Sequence, residues 1–105
     1  VNWYGAHMER YVVNGLDKRR VEDIAAHIAA MKFNCVRLVF SNDLFFKNPP
    51  LNASSVSANP SLAGRPAMEG FDAVVAALTG KGLMVILNNH ISEAGWCCSK
   101  DDGNG

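Results

Sequence analysis

The sequence has no net charge, no membrane-length apolar run and no signal-peptide pattern. Ten Lys and Arg residues balance ten Asp and Glu residues, so the formal net charge is zero. A chain without an excess of one charge has no field to hold a nucleic-acid backbone or an anionic membrane surface. No apolar run approaches the roughly 20 residues that span a bilayer. We therefore expect a soluble, already processed globular chain that binds neither nucleic acid nor membranes.

Cysteine is scarce and odd in number, with Cys35, Cys97 and Cys98. If the protein is secreted, at least one thiol stays free or pairs outside this chain. Cys35 lies in an apolar run and is interpreted as a buried small hydrophobe. The adjacent Cys97 and Cys98 lack the two-residue gap of a zinc knuckle, so we predict no metal. Vicinal cysteines seldom bond each other, and the partners of this pair stay open.

Hydrophobic spacing predicts strands and helices in alternation. The predicted order is strand Val1–Ala6, a helix from an N-cap at Asp17 to Asn34, strand Cys35–Phe40, a long loop Ser41–Pro66, a helix from Pro66 or Ala67 to Gly80 or Gly82, and strand Leu83–Leu87. No hairpin signal separates the strands, so they are predicted to be parallel and the fold class is α/β. An open doubly wound sheet and a slice of an eight-fold barrel both fit this order. The turn Gly5–Arg10 carries no glycine-rich nucleotide-binding fingerprint, and we predict no cofactor.

Arg37 stands in the middle of an apolar strand, where an unpaired guanidinium is costly to desolvate. The two-residue period of a strand puts Cys35, Arg37 and Val39 on one face. One interpretation is a structural ion pair. The other is an arginine that keeps a catalytic carboxylate ionised near the carboxyl ends of the strands.

Three hydrogen-bonding side chains, Asn88, Asn89 and His90, follow the third predicted strand. Ligands bind at this end of parallel strands, so the cluster is a candidate site. The alternative is that the asparagines only terminate the strand and backbone groups satisfy His90. Trp96 is a candidate platform for sugar rings, or else a packing residue, whereas Trp3 is expected in the core. Nothing in the spacing of the acidic residues Glu9, Asp43 and Glu93 makes any two of them a catalytic pair.

Four segments in this order resemble glycoside hydrolase family five, the cellulase family. They are Val1-Asn2-Trp3-Tyr4-Gly5, Asn34-Cys35-Val36-Arg37-Leu38-Val39-Phe40-Ser41, Asn88-Asn89-His90, and Ala94-Gly95-Trp96-Cys97-Cys98-Ser99 with Asp102-Gly103-Asn104-Gly105. The second is similar to the second-strand arginine signature and the third to the third-strand histidine motif. The resemblance covers essentially the whole chain.

The resemblance implies that residues 1–105 form the N-terminal portion of a (β/α)8 TIM barrel, with three strands and two helices. Such enzymes cleave β-linked glucans or mannans with retention, using one glutamate as acid and another as nucleophile. In the family these glutamates follow the fourth and seventh strands, so we expect no catalytic residue here and no activity from this chain alone. By the same resemblance Arg37 supports the nucleophile and His90 contacts the sugar. We also predict that Asn88, Asn89 and Trp96 bind substrate.

Two other readings of the sequence stay open. One is a non-catalytic carbohydrate-binding protein derived from the same fold. The other is a partial barrel whose missing strands are replaced by self-association or by a complementary chain. The triplet Asn52-Ala53-Ser54 predicts N-glycosylation at Asn52, and with it a secreted, extracellular protein.

Overall fold

The computed structural model describes residues 1–95, which form a three-stranded parallel sheet with helices. The strands are β1 (Asn2–Trp3), β2 (Cys35–Ser41) and β3 (Met84–Ile91), in the order β1-β2-β3. The helices are α1 (Val21–Ala30), α2 (Asn42–Lys47) and α3 (Ala67–Thr79), with 3-10 turns at Ala53–Val56 and Pro60–Leu62. The predicted α/β class and parallel strands are confirmed. None of these helices is long and apolar enough to cross a membrane.

The core lies between one face of the sheet and the two longer helices. Val36 and Leu38 of β2 are fully buried and belong to one apolar cluster with Val74 and Leu78 of α3 and Ala25 of α1. Because strand side chains alternate, Cys35 and Arg37 project from the opposite face. That second face is the one that turns inward when a parallel sheet closes into a barrel.

Strand β3 is the edge of the described sheet and exposes large apolar side chains. Met84, Ile86 and Leu87 are 71%, 52% and 57% exposed. An edge strand of this kind offers unpaired backbone groups and apolar surface to another strand. The expectation that another polypeptide segment or chain covers this edge stays a prediction.

The start of α1 differs from its prediction. Asp17 was predicted as the N-cap, but the helix begins at Val21 after Arg20, and no side chain of the cap residue bonds to it. Instead the buried Asn59 accepts a 2.8 Å hydrogen bond from the Val21 amide. The same side chain donates to the carbonyl oxygens of Leu16 and Arg19 at 3.0 and 2.9 Å. A residue distant in sequence therefore does the work of a local cap.

Four other predicted boundaries were wrong. The left-handed residue that ends α1 is Lys32, with φ of 67°, and Asn34 is not in that conformation. The segment predicted as an irregular loop contains α2, whose first turn is capped by the Ser41 hydroxyl accepting from the Leu44 amide. Strand β1 is only two residues long, whereas β3 runs on to Ile91 because its pairing with β2 continues. The prediction for α3 is confirmed within a residue.

We expect Asn59→Ala to lower the free energy of unfolding by about 2 to 4 kcal/mol, since three hydrogen bonds are lost and the buried Val21 amide is left without its acceptor. Urea unfolding followed by circular dichroism measures the change. Asn52→Ala is the matched control, because this exposed asparagine caps a 3-10 turn only two residues away, and it should cost about 0.5 to 1 kcal/mol. Equal losses for the two variants would show that Asn59 is not a tertiary brace.

Candidate functional site

The connections that follow the three strands are joined by hydrogen bonds at the carboxyl end of the sheet. The Gly95 amide, after β3, donates to the His7 carbonyl oxygen, after β1, at 3.0 Å. The Ala94 amide donates at 2.9 Å to Oδ2 of Asp43, which follows β2. The carboxyl ends of parallel strands lie together at this end of the sheet, and ligands bind there in such folds. It is therefore the candidate functional site.

Arg37 lies on the sheet face away from the helices, paired in register with Asn2 on β1 and Ile86 on β3. Its Nη2 donates a 2.5 Å hydrogen bond to Oδ1 of Asn88 on the neighbouring strand. Within residues 1–95 no carboxylate forms a salt bridge with it. The structural ion pair considered from sequence thus has no partner in this part of the chain. The amide of Asn88 fixes the direction of the guanidinium without neutralising its charge.

The predicted Asn88, Asn89 and His90 cluster lies inside β3 rather than after it. Asn89 is exposed, and its Nδ2 donates at 2.6 Å to Oδ1 of Asn42 at the start of α2. The pairing of β3 with β2 skips one residue, since Phe40 pairs with Asn89 and Ser41 with Ile91. His90 is the skipped residue. Irregularities of this kind re-aim a side chain, and they are common at barrel rims and next to active sites.

His7 joins the site, although the sequence prediction did not include it. Its side chain is 1% exposed and its ring meets the ring of His90 edge-on, with centroids 5.0 Å apart. Tyr4 closes the group, at 5.9 Å from His7 and 6.3 Å from His90. We call Tyr4, His7 and His90 the ring cluster. The sequence feature that could have indicated His7 is its position four residues after the end of β1, at the same end of the sheet as His90.

Burial lowers the pKa of His7, and the nearby charge of His90 lowers it further, while the carboxylate of Glu9 acts in the opposite direction. The neutral imidazole is therefore favoured in the folded chain. Its Nδ1 accepts a long 3.4 Å hydrogen bond from the Gly5 amide, which places the proton on Nε2.

The other singled-out residues are placed as follows. Trp3 is 8% exposed, as expected of a core residue, and its Nε1 donates to the Asn14 carbonyl oxygen at 2.9 Å. Asp43 accepts from the Ala94 amide and lies 3.5 Å from the Lys47 ammonium, while Glu9 and Glu93 are exposed. Trp96, Cys97 and Cys98 lie outside the described residues. Residues 1–95 contain no group of three His, Cys, Asp or Glu side chains suited to a metal ion.

The whole chain matches the family described as cellulase (glycosyl hydrolase family 5), over residues 1–105. A glycosyl hydrolase 5 family protein of Chamaecyparis obtusa is 36% identical to it, over 100% of this chain and 22% of that protein. An endoglucanase of Paenibacillus polymyxa is 27% identical over 86% of this chain and 23% of its own length. The chain thus spans under a quarter of the length of these relatives.

Solved structures of related enzymes also match most of this chain but only part of their own length. An endocellulase variant of Pyrococcus horikoshii in complex with cellotetraose superposes with a TM-score of 0.83 and 27% identity, covering 96% of this chain and 28% of that one. The catalytic domain of the major endoglucanase of Xanthomonas campestris pv. campestris gives 0.83 and 26%, covering 93% and 28%. Of the two topologies considered from sequence, the slice of a barrel is therefore confirmed, since the three strands and their helices match the N-terminal part of these barrels.

Proposed function

Because the chain belongs to the cellulase family, glycosyl hydrolase family 5, we propose that residues 1–105 supply the first three strands of the catalytic barrel of a retaining β-glycan hydrolase. The observation that carries the proposal is Arg37. Its charge is held by Asn88 on the face that turns inward when the barrel closes, with no carboxylate partner within residues 1–95. A cation so placed lowers the pKa of a carboxylate brought against it and keeps that carboxylate a nucleophile.

The two carboxylates of the reaction come, in this proposal, from strands beyond residues 1–95. Retention requires a proton donor and a nucleophile about 5 Å apart. Asp43 is occupied by the Ala94 amide and Lys47, which gives it a structural role at the loop after β3. Glu9 and Glu93 are exposed and follow different strands. We therefore assign Arg37 and His90 supporting roles and name no catalytic carboxylate in this chain.

The proposed substrate is a β-1,4-linked glucan. The Pyrococcus horikoshii endocellulase was captured with cellotetraose, a neutral oligosaccharide. The candidate site offers hydrogen-bonding side chains at Asn88, Asn89 and His90, and the aromatic ring of Tyr4 lies beside them. Such a ligand needs both kinds of group. Sugar hydroxyls bond to amide and imidazole groups, while the C–H faces of the ring pack on aromatic rings.

An extracellular location follows as part of the proposal. The Xanthomonas campestris relative is named a major extracellular endoglucanase, and an insoluble polysaccharide is met outside the cell. Asn52 is exposed, so its acceptor triplet is open to a glycosylating enzyme. Glycan at Asn52 in material from a eukaryotic source would agree with secretion.

The experiment compares two preparations on carboxymethyl cellulose and on mannan. The first is the 105-residue chain alone. The second is the completed barrel, meaning this chain together with a polypeptide carrying the later strands and their two glutamates. We expect no turnover from the first and endo-cleavage of the cellulose derivative by the second. Sustained turnover by the chain alone would overturn the assignment of supporting roles. Oligosaccharide binding without cleavage by the completed barrel would instead favour a carbohydrate-binding protein of this fold.

A further inference from the structure

A groove between the connections that follow β1 and β2 contains the acceptor triplet for N-linked glycan. It encloses about 340 Å³. Its lining includes Glu9, Arg10, Tyr11, Pro50, Asn52 and Ser54, and we call it the Tyr11 groove. Asn52 and Ser54 are the asparagine and the hydroxyl residue of the triplet Asn52-Ala53-Ser54. A glycan attached to this triplet therefore starts on the wall of the Tyr11 groove.

The attachment point is held firmly by its neighbours. The Leu51 amide donates to the Arg65 carbonyl oxygen at 2.8 Å, and the Leu51 carbonyl oxygen accepts from the Gly64 amide at 2.9 Å. Oδ1 of Asn52 accepts hydrogen bonds of 3.1 Å from both the amide and the hydroxyl of Ser54. These bonds use Oδ1 and not Nδ2, the atom to which a glycan is joined. The first sugar of a glycan therefore starts from a side-chain amide whose plane is already fixed.

Tyr11 holds an unusual backbone conformation in this groove, with φ of +58°. A bulky side chain in the left-handed region costs about 1 to 2 kcal/mol, which glycine avoids and asparagine largely avoids. The half-buried ring packs against the core, and the Tyr11 amide donates to the Met8 carbonyl oxygen at 3.0 Å. A strained aromatic residue at a groove is a reason to look for a function of its ring.

The chemistry of the lining fits the first sugar of an N-linked glycan, which is the neutral N-acetylglucosamine. One carboxylate, Glu9, and one guanidinium, Arg10, cancel in formal charge, so an ion of either sign gains little there. Tyr11 and Pro50 give apolar surface for the C–H face of the sugar ring. The charged pair offers an acceptor and donors to the acetamido group and the hydroxyls.

We propose that Asn52 carries an N-linked glycan whose first N-acetylglucosamine lies in the Tyr11 groove and packs on the Tyr11 ring. In the modification, Nδ2 of Asn52 forms a bond to C1 of the sugar and gives up one proton, while the diphosphate of a lipid-linked oligosaccharide donor leaves from C1. The groove is then filled by a group that belongs to the glycoprotein and not by substrate. The inference rests on the proposed extracellular location and is independent of hydrolysis.

Covalent attachment makes a weak contact in the groove sufficient. A tethered sugar has a high effective concentration at its site and loses little translational freedom when it packs there. The contact with Tyr11 exists in the folded chain and not in the unfolded chain, so it shifts the equilibrium toward the folded state. The glycan is therefore expected to stabilise the connection between β2 and α3 against the one that follows β1.

The test compares one sequence made in two hosts. The 105-residue chain secreted by a yeast carries the glycan, which endoglycosidase H trims to the first N-acetylglucosamine, whereas the chain made in bacteria carries none. We expect the trimmed glycoprotein to unfold about 2 to 6 °C above the bacterial chain, the shift that one aromatic contact gives in a domain of this size. Nuclear Overhauser contacts should join the Tyr11 ring protons to those of the sugar. Failure of Asn52 to carry sugar, absence of these contacts, or an unchanged melting temperature would each overturn the inference.

Two variants, each made in both hosts, separate the ring from the fold. Tyr11→Asn removes the ring but keeps a residue that tolerates the left-handed backbone, and the glycan should then raise the melting temperature by less than about 1 °C. Tyr11→Phe keeps ring and packing and should retain the full rise. Because each variant is compared with its own glycan-free form, a loss of stability from the substitution itself cancels. An undiminished rise in Tyr11→Asn contradicts the proposal.

A titration of the trimmed glycoprotein with cellohexaose identifies the other possible occupant. The amide signals of Tyr11 and Asn52 should stay in place, since the groove is already filled. Loss of the Overhauser contacts on addition of cellohexaose would show that the polysaccharide takes the groove, and the inference would be wrong. None of these measurements involves turnover, so their failure leaves the proposed hydrolase function standing.

Discussion

Gly5→Ala is expected to lower the free energy of unfolding by roughly 2 to 6 kcal/mol, as the sum of backbone strain and overpacking. Gly5 has φ of +126°, and a Cβ placed there lies 2.5 Å from the Asn14 amide nitrogen and 2.7 Å from the Val12 carbonyl oxygen. These neighbours are backbone atoms that cannot rotate away. The Gly5 amide also donates to His7, so the movement that relieves the clash displaces the ring cluster.

Gly82→Ala is the control that isolates the backbone cost. Gly82 also has a positive φ, +77°, but no atom lies within 4 Å of its added Cβ. It should therefore lose only about 1 to 2 kcal/mol, the cost of the conformation itself. Urea unfolding of the three proteins gives the comparison. Equal losses of unfolding free energy in Gly5→Ala and Gly82→Ala would mean that the close packing around Gly5 adds nothing to the cost of the substitution.

Arg37→Ala in the completed barrel should reduce kcat by about 10²- to 10³-fold, the usual effect of removing one electrostatic group aimed at the reacting centre. Arginine lowers the pKa of a neighbouring carboxylate because it favours the charged form. Without it the pKa of the nucleophile rises, and the acidic limb of the pH-rate profile moves to higher pH. The measurement is kcat against pH on a soluble cellulose derivative.

Two substitutions distinguish charge from geometry at this position. Arg37→Lys keeps the charge but not the planar fork of N–H donors, so most of the rate should be lost while the acidic limb moves little. Asn88→Ala leaves the charge in place and removes the 2.5 Å hydrogen bond that orients it, so its loss of rate should be smaller than that of Arg37→Ala. A full-sized loss with an unshifted acidic limb in Arg37→Ala would show that the arginine does not control the nucleophile.

The elements that sequence predicted well are those determined by local pattern. The bounds of α3 follow from Pro66 before it and Gly80 after it, and β2 follows from its apolar run. The start of α1 was missed because its cap, Asn59, lies 38 residues from the amide that it bonds. Helix α2 was missed although Ser41 is an ordinary N-cap residue, since the surrounding prolines argued for a loop. The extra length of β3 depends on pairing with β2, which no local pattern contains.

Several residues of the site could be predicted from the sequence, but the contacts between them could not. Arg37 was singled out because a charge inside an apolar strand needs an explanation, and that property is visible in a single sequence. Its bond to Asn88 depends on the register of two strands 51 residues apart along the chain. The sequence does not single out His7, because its place in the site depends on the packing of its ring against His90. Register and ring packing are tertiary properties, and they appear only once the strands are aligned.

The hydrogen bonds of Asn59 also determine the order in which parts of the chain fold during synthesis. Its side chain bonds to residues 38, 43 and 40 positions earlier in the chain. A ten-residue helix such as α1 is marginal by itself in water, and closing a loop of this length has its own entropic cost. On the ribosome, Val21 emerges long before Asn59 does. The first turn of α1 is therefore secured only after the connection between β2 and α3 has been made, so this early segment completes its folding late.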